Sequence, residues 1–417
     1  MAAGSVSSMR ARQPALRFIF LTLFLDVLGI GLIIPILPRL IESFFPNNVP
    51  AAASLFGLLA AIYSLMQFIC APILGSLSDQ VGRRPVILIS LLGTGLDYLL
   101  LAMAPSLGWF FVGRIIAGVT SANISAATAY IADISPPEKR AANFGIVGAA
   151  FGLGFIAGPA LGGMLGDRDL RLPFFVASAL SLANWLYGFF VLPESLAMEN
   201  RRPFTWARSN PIGSLLALRR FPVVQGMSLC AFLLNLSQYS LHATWVLYTS
   251  HRYHWTTGQV GASLAVVGLM AAIVQGGLAR RLIPMLGEVR SLTIGLILGA
   301  LSMFGYCFAS EGWMIYAILV VGSLGGIAGP ASQGIVSRNV PANEQGAVQG
   351  ALAGLGSVAG FIAPIMATSL FGFFIGDRAP FYLPGASFCV GGLLILIALA
   401  TALRTLSRHP VHAEGRA

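Results

Sequence analysis

The chain has 417 residues, of which 56% are hydrophobic and only 10% are charged. Because soluble globular domains carry about 25% charged residues, this composition excludes a large soluble enzyme or binding domain. The net charge of +10 would suggest a nucleic-acid partner in a soluble chain. Here the basic residues lie between apolar runs of about 20 residues, which is the length of a bilayer-crossing helix. We therefore predict a polytopic membrane protein with no nucleic-acid partner.

Twelve apolar runs are predicted to cross the membrane as α-helices, because backbone polar groups must be hydrogen-bonded within a span. The first run contains Asp26 and exceeds the 7–15 residues of a signal-peptide core, so we expect it to be retained. In chain order the predicted spans are residues 18–38, 54–76, 85–105, 109–132, 143–165, 173–192, 222–247, 259–283, 291–309, 313–337, 346–372 and 381–403.

The distribution of the 25 basic residues predicts the orientation of these spans. With the N-terminus placed inside, 19 basic residues fall in inside segments, five fall in outside segments, and Arg114 lies within a span. Positive charge accumulates on the cytoplasmic side of membrane proteins. We therefore expect a multi-pass protein of the cell inner membrane with both termini in the cytoplasm.

The chain divides near its middle into two related halves. Residues 1–192 form the first six-span bundle, residues 193–221 a cytoplasmic linker rich in Pro and Arg, and residues 222–417 the second bundle with a short cytoplasmic tail. Several short matches between the halves, such as GFIA at 154–157 and at 360–363, are offset by about 205 residues. Two parallel six-helix repeats are typical of transporters whose substrate site lies between the repeats.

Neither the cysteines nor the histidines form a recognisable site. Cys70, Cys230, Cys307 and Cys389 each occur singly, which predicts neither a metal site nor a disulfide framework. The five histidines form no constellation with acidic residues, and no phosphate-binding loop is present. We expect neither an enzyme nor an ATP-driven pump, and no metal or cofactor.

The sequence GSLSDQVGRR at 75–84 concentrates charge between spans two and three. Arg83 and Arg84 alone would satisfy a positive-inside loop. Asp79 and the glycines Gly75 and Gly82 are not needed for that role. Glycines permit tight turns and close approach of the backbone, and the charges can pair with other helix ends; that the segment is part of a gate is what the family resemblance given below implies.

Span five carries small residues in the sequence GLGFIAGPALGG at 152–163. Small residues allow close helix packing, and a proline can bend a helix. Ordinary tight packing is one interpretation of this run. The other is a shaped gating helix that depends on Gly154, Gly158, Pro159 and Gly162.

Charged residues inside the membrane are costly and usually functional. Asp26 lies about eight residues into span one, Asp97 lies past the middle of span three, and Arg114 lies near the outer end of span four. Spans three and four are antiparallel, so Asp97 and Arg114 can form a structural ion pair. The other interpretation gives all three residues a role in proton coupling, with Asp26 as the first choice for the proton carrier.

These motifs together resemble the major facilitator superfamily, and within it the tetracycline/proton antiporter family. GSLSDQVGRR resembles the superfamily's signature loop, RIIAG at 114–118 its fourth-helix motif, and GLGFIAGPALGG its antiporter motif. The resemblance covers nearly the whole chain and implies an all-α integral membrane fold of two pseudo-symmetric six-helix bundles. It further implies that Asp79 faces a helix N-terminus in the second half and that Arg83 reaches Asp133.

The second half departs from the family pattern. The antiporters resembled here carry an acidic residue in span nine, where this chain has Gly299, and a histidine in span eight, where it has Ala271. Proton coupling is then expected to rest on the first half. His242 in span seven is either a second proton carrier or a satisfied polar core residue.

Uncharged polar and aromatic residues in the spans are candidates for the lining of a central cavity. The resemblance places Gln67 and Gln275 near the substrate. Interhelical hydrogen bonding is the alternative role for polar residues in spans. The full set of candidate substrate-binding residues is Gln67, Asn123, Gln238, His242, Trp245 and Gln275.

The sequence therefore predicts a monomeric secondary transporter that exports a small amphipathic drug, tetracycline-like by resemblance, in exchange for protons. The proton gradient is the expected energy source. Export of another drug or metabolite, and facilitated transport without proton coupling, are the alternatives.

Overall fold

The computed structural model describes residues 3–121, 123–136, 140–205, 218–341 and 344–409. Within these residues the chain is helical and contains no strand. Ten helices are long and apolar enough to cross a membrane, and Leu107–Val119 is a shorter apolar helix. The predicted all-α membrane fold is confirmed. Eight of the twelve predicted spans are continuous helices: Val49–Val81, Arg83–Met103, Arg140–Gly166, Leu172–Val191, Pro222–Tyr253, Glu288–Phe308, Gln345–Ile375 and Ala386–Arg408. Of these, Pro222–Tyr253 is not one of those ten apolar helices. Span one, predicted to end at 38, is the helix Ala3–Ile33, which a turn at 34–36 separates from the short helix Leu37–Glu42.

Spans four, eight and ten are interrupted. Span four consists of Leu107–Val119 and Asn123–Ile134. Span eight runs as Thr257–Ile273, a π-helical turn at Val274–Leu278, and Ala279–Leu286. Span ten runs as Gly312–Ser323, a 3₁₀ turn at Leu324–Ile327, and Ala328–Arg338. Irregular turns of this kind inside a helix often mark functional positions.

The break in span four corrects the continuous span predicted for 109–132. The Thr120 hydroxyl donates to the Ile116 carbonyl at 2.9 Å, and the Ser121 hydroxyl donates to the Gly118 carbonyl at 2.8 Å. Hydroxyl side chains that bond to nearby carbonyls compete with the helical backbone and favour its bending. The first helix ends at Val119 and the second begins at Asn123, although similar bonds of Ser240 and Thr244 do not interrupt the helix Pro222–Tyr253.

Span twelve begins at Ala386, five residues later than predicted. Leu383 N–H turns back to the Phe374 carbonyl at 3.2 Å. Pro384 follows, and the residue before a proline is disfavoured in the helical region. These features delay the start of the helix.

A disulfide joins Cys307, at the end of span nine, to Cys389, near the start of span twelve, with Cα atoms 5.6 Å apart. The expectation of no disulfide was wrong at this pair. The two cysteines are 82 residues apart in sequence, so only the packing of these two helix ends brings them together. Cys70 and Cys230 are free.

The chain folds into two compact units. The first contains residues 1–44, 66–210 and 256–268, and the second contains residues 45–65, 211–255 and 269–417. The bundle boundaries predicted at 192 and 222 stay a prediction. Residues 206–217 of the predicted linker lie outside the described residues.

Each unit has its own apolar core. In the first unit Phe18, Ile87, Tyr130 and Ala150 bring spans one, three, four and five together. In the second unit one cluster joins Leu236 of span seven to Ala359 and Ala363 of span eleven. A further cluster packs the π turn of span eight against the 3₁₀ turn of span ten.

Candidate functional site

Asp26 lies in the part of span one that packs against span five, and it is 6% exposed. The glycines of span five make this contact close. A Cβ atom on Gly158 would lie 2.7 Å from the Gly31 Cα, and one on Gly154 would lie 2.8 Å from the Val27 Cβ. Gly162 abuts the Leu32 carbonyl in the same way. The small residues of the predicted gating helix therefore hold the helix that carries Asp26.

Span six contacts span one through a buried polar pair. The Thr22 hydroxyl donates to Asn184 Oδ1, and Asn184 Nδ2 donates to the Thr22 carbonyl, both at 3.2 Å. Thr22 is four residues before Asp26, so the two side chains share a helix face. This pair fixes the rotation of span one close to Asp26. Sequence reasoning missed Asn184, because a single Asn in an apolar run gives no sign of its partner.

Asp97 and Arg114 form an ion pair across the hairpin of spans three and four. Arg114 Nη2 lies 3.3 Å from Asp97 Oδ2, and the Asp97 side chain is 1% exposed. Gly113 leaves room for it, since a Cβ there would lie 2.6 Å from Asp97 Oδ1. Within the described residues Oδ1 is buried without a hydrogen-bond partner. One carboxylate oxygen is thus paired, and the other can still accept a proton.

The signature segment is less of a loop than the sequence suggests. Span two continues to Val81 and span three begins at Arg83, so Gly82 is the junction, with φ at 110°. This left-handed backbone requires glycine. Gly75 lies inside span two, and a Cβ there would meet no atom within 4 Å. In this conformation the predicted need for glycine applies to Gly82 and not to Gly75.

Arg83 lies between two carboxylates. Its Nη1 atom is 2.5 Å from Asp79 Oδ1, and its Nε atom is 3.2 Å from Asp133 Oδ2. The contact with Asp133 is the one that the resemblance implied. Arg84 donates to the Phe189 carbonyl at 2.7 Å and lies over the Phe189 ring.

The start of the linker covers this charged segment. Glu194 accepts hydrogen bonds from the N–H groups of Arg83 at 2.9 Å and Arg84 at 3.2 Å. Arg202 N–H donates to the Asp79 carbonyl at 3.0 Å. Sequence reasoning missed Glu194, although an acid directly after a span is a common cap for a neighbouring helix N-terminus.

A polar cavity of about 450 Å³ lies between the linker and the charged segment. Its lining is Asp79, Arg83, Asp133, Ser195, Leu196, Asn200 and Arg202. The Ser195 hydroxyl also donates to Asp133 Oδ2 at 3.1 Å. The first residues of the linker therefore belong to the same polar cluster as the signature segment.

The candidate substrate-binding residues occupy different environments. The side chains of Gln238, His242 and Gln275 in the second unit are accessible to solvent, and Gln67 of the first unit is half-buried. Trp245 is buried, with its ring 5.2 Å from Tyr306 and 6.4 Å from Phe388. The side chain of Asn123 lies outside the described residues.

Residues 19–364 match the family model of the Major Facilitator Superfamily. The chain belongs to this superfamily. It is 38% identical to the tetracycline resistance protein, class C, of Escherichia coli over 94% of this chain and 96% of that protein. It is 36% identical to the class D protein of Salmonella ordonez over 96% of this chain and 99% of that protein.

Relatives in the superfamily extend beyond bacteria. The human major facilitator superfamily domain-containing protein 10 is 30% identical over 85% of this chain and 86% of its own length. The crystal structure of that protein, described as a human organic anion transporter, superposes with a TM-score of 0.70 at 27% identity and covers 94% of this chain and 99% of that chain. The chain is thus a multi-pass transporter-family membrane protein with a small-molecule substrate.

Of the two family positions that differ in this transporter, Gly299 lies close to an apolar side chain. A Cβ on Gly299 of span nine would lie 3.6 Å from Ile395 Cδ1 of span twelve. Gly325, in the 3₁₀ turn of span ten, approaches the Gly299 backbone, and its Cβ would lie 3.1 Å from the Gly299 nitrogen. Glycine at 299 therefore allows spans nine and ten to pack closely. Ala271 is half-buried in span eight.

Proposed function

We propose that this transporter exports a tetracycline-like drug in exchange for protons by alternating access. The observation that carries the proposal is the identity of 36–38% with tetracycline resistance proteins over 94–96% of the chain. Identity at this level over whole chains supports a shared transport cycle. The protein does no chemistry on its substrate and needs no cofactor.

The first unit supplies the groups for proton coupling. Asp26 is buried beside the gating helix. Asp97 is held by Arg114 through one oxygen only. Intramembrane acids of this kind are typical of proton relays. We assign Asp26 as the proton carrier and Asp97–Arg114 as its partner pair, and we infer that coupling proceeds without an acid at Gly299.

The charged cluster at the signature segment belongs to the gate and not to the drug site. Arg83 binds Asp79 and Asp133 at once. Ion pairs that exist in only one of two states bias the equilibrium between the states. Rearrangement of this cluster accompanies each opening of that end of the protein.

The remaining parts of the proposal concern location and assembly. The distribution of arginines supports cytoplasmic termini and an inner-membrane location. The two-repeat architecture encloses a substrate site within one chain, so we propose that the monomer is the working form. The partners are the drug, protons and the lipid bilayer, with no nucleic acid.

Drug uptake into inverted membrane vesicles under an imposed pH gradient tests the proposal. The native protein is expected to accumulate tetracycline only with the gradient, and Asp26→Asn is expected to lose that accumulation. Asp169→Asn is the matched control, because Asp169 lies in the loop after span five and its carboxylate accepts a local hydrogen bond from Arg171 N–H. Uptake that does not depend on the pH gradient would indicate facilitated transport and would overturn the proton-coupling assignment.

A panel of substrates separates tetracycline from other cargo. Cells that express the protein should survive higher tetracycline concentrations than cells that express Asp26→Asn. The panel includes organic anions, because the human relative is described as an organic anion transporter. If expression does not change resistance to tetracycline and the protein transports an organic anion, the proposed substrate becomes that anion instead of tetracycline.

A further inference from the structure

Spans five and eight meet in a close seam inside the first unit. We call the contact between residues 155–167 and residues 256–268 the five–eight seam. A Cβ on Gly261 would collide with the Pro159 carbonyl, and one on Gly268 would lie 3.0 Å from the Phe155 carbonyl. The Thr257 hydroxyl donates to the Gly163 carbonyl at 3.2 Å. The two backbones touch along this seam.

The second unit contains the equivalent contact, which we call the two–eleven seam, between residues 50–64 and 360–372. A Cβ on Gly57 would lie 2.9 Å from the Pro364 carbonyl, and one on Gly360 would lie 3.1 Å from the Ser64 hydroxyl. Pro159 and Pro364 are 205 residues apart, and Gly57 and Gly261 are 204 residues apart. The repeat offset found in the sequence therefore relates two equivalent contacts, in each of which a glycine lies against the carbonyl of a proline.

A carboxylate is present at only one of the two seams. Asp167 follows span five directly, at the N-terminus of span eight. Its Oδ1 accepts from the Thr257 hydroxyl and from Gly258 N–H at 3.1 Å, and its Oδ2 accepts from the Thr256 hydroxyl at 3.3 Å and from the same N–H at 3.1 Å. The residue 205 positions later is Gly372, which has no carboxylate. It lies so close to Pro50 that a Cβ added to it would be 3.3 Å from the Pro50 carbonyl.

We propose that Asp167 is a latch that holds the five–eight seam closed and must release span eight whenever that end of the transporter opens. This inference rests on the proposed alternating-access cycle. Hydrogen bonds to an ionised carboxylate are stronger than those between neutral groups. The N-terminus of a helix also favours a negative charge. The five–eight seam is therefore harder to open than the two–eleven seam, although their glycine contacts match.

The charges around Asp167 agree with this role. Arg39, in the short helix Leu37–Glu42 after span one, interacts electrostatically with Asp167 and with Glu42. Asp169, two residues further along, makes a local bond to Arg171 instead. Of the two acids in this loop, Asp167 is the one that reaches span eight.

A single free cysteine on the face of span eight that meets span five reports the opening of the seam. Ala265 lies four residues after Gly261 and three before Gly268, on that face, and is half-buried. We place Ala265→Cys in a background that lacks Cys70 and Cys230 and keeps the Cys307–Cys389 disulfide. The rate at which N-ethylmaleimide labels this cysteine in proteoliposomes follows the fraction of open protein. Gly261→Leu, which must collide with the Pro159 carbonyl, is the positive control and should label fast.

We expect Asp167→Ala to raise the labelling rate by about tenfold, as the loss of charge-assisted hydrogen bonds predicts. Asp167→Asn should raise it less, Asp167→Glu should restore a low rate, and Asp169→Asn should label at the native rate. Native rates in both Asp167→Ala and Asp167→Asn, with fast labelling of Gly261→Leu, would overturn the latch.

The labelling assay tests the latch and the transport assay tests the export function, so either hypothesis can be contradicted without the other. Labelling needs neither a drug nor a gradient. If Asp167→Ala labels fast but the native protein moves no drug against a gradient, the latch stands and the proposed export function falls. If gradient-driven export requires Asp26 but the Asp167 variants label at the native rate, only the latch falls.

Discussion

Glu194, the third residue after span six, accepts a hydrogen bond from Arg83 N–H at 2.9 Å and so caps the N-terminus of span three. The bond joins residues that are 111 positions apart. It ties the start of the linker to the residue that also holds Asp79 and Asp133. The linker is therefore part of the gate cluster as well as a connection between the two halves of the sequence.

Replacing Glu194 tests this cap. Glu194→Ala leaves the N–H groups of Arg83 and Arg84 without their acceptor, and loss of an N-terminal cap typically costs about 1 kcal/mol. Because Glu194 is exposed, we expect a loss near the lower end of the usual range, about 0.5 kcal/mol. Thermal unfolding of the purified protein measures the loss. Glu199→Ala, at an exposed acid of the same linker, should leave stability unchanged, and equal losses in both variants would contradict the cap.

Gly82 and Gly75 should respond in opposite directions to alanine. At Gly82, φ of 110° and contact with the Glu194 carboxylate leave no room for a methyl group, so Gly82→Ala should cost about 1–3 kcal/mol. Gly75 is helical with open space around its Cα, so Gly75→Ala should stabilise the protein by about 0.5–1 kcal/mol. Parallel thermal unfolding checks both values. If Gly75→Ala is stable but transports slowly, Gly75 is needed in another state of the cycle.

The Asp97–Arg114 pair should show strong non-additivity. Removing one partner of a buried ion pair strands the other charge and costs about 3–5 kcal/mol, whereas replacing both with apolar residues is often nearly neutral. We expect Arg114→Leu to unfold at a lower temperature than Asp97→Leu/Arg114→Leu. Both variants should lose gradient-driven uptake. A double variant that is less stable than the single variant would show that the ion pair itself stabilises the hairpin.

Opening of the five–eight seam should depend on pH only at acid pH, near the pKa of Asp167. Burial alone would raise the pKa of Asp167, but hydrogen bonds from Thr257, Gly258 and Thr256 outweigh it and hold the pKa below its usual value. A carboxyl with a lowered pKa stabilises the closed seam above the ordinary value of about 3.9 and loses that effect as pH falls through its lowered value. The labelling rate of Ala265→Cys, divided by the rate of the same cysteine in Asp167→Asn so that the pH dependence of the thiolate itself cancels, should therefore be constant from pH 8 to pH 5 and rise below about pH 4. In Asp167→Asn the rate should follow the thiolate fraction alone, since Arg39 keeps its charge throughout.

Some structural relationships could be inferred from spacing along the chain alone. Asp97 and Arg114 lie on adjacent antiparallel spans joined by a short turn, so their approach follows from the lengths of the two spans. The repeat offset of about 205 residues likewise relates Pro159 to Pro364. The first inference needs only the lengths of the apolar runs and the requirement that each span crosses the bilayer once, and the second needs only the short sequence matches between the halves.

Other contacts join residues whose sequence separation carries no information. The Cys307–Cys389 disulfide, the Thr22–Asn184 pair and the Glu194 cap each depend on which helices become neighbours. Apolar runs predict that a helix forms and that it crosses the membrane. A helix surface that faces lipid and one that packs against another helix have nearly the same composition. The pattern of apolar residues therefore does not predict which helices become neighbours.

The sequence by itself determined the membrane class, the approximate positions of most helices, the repeat and the intramembrane acids, because apolar length and charge act locally along the chain. Only the tertiary structure decided that span five holds Asp26 on one side and the start of span eight on the other. It also decided that Asp167 reaches Thr257 while Gly372 carries no carboxylate. Those outcomes depend on backbone contacts at glycines, and such contacts form only after the helices have packed.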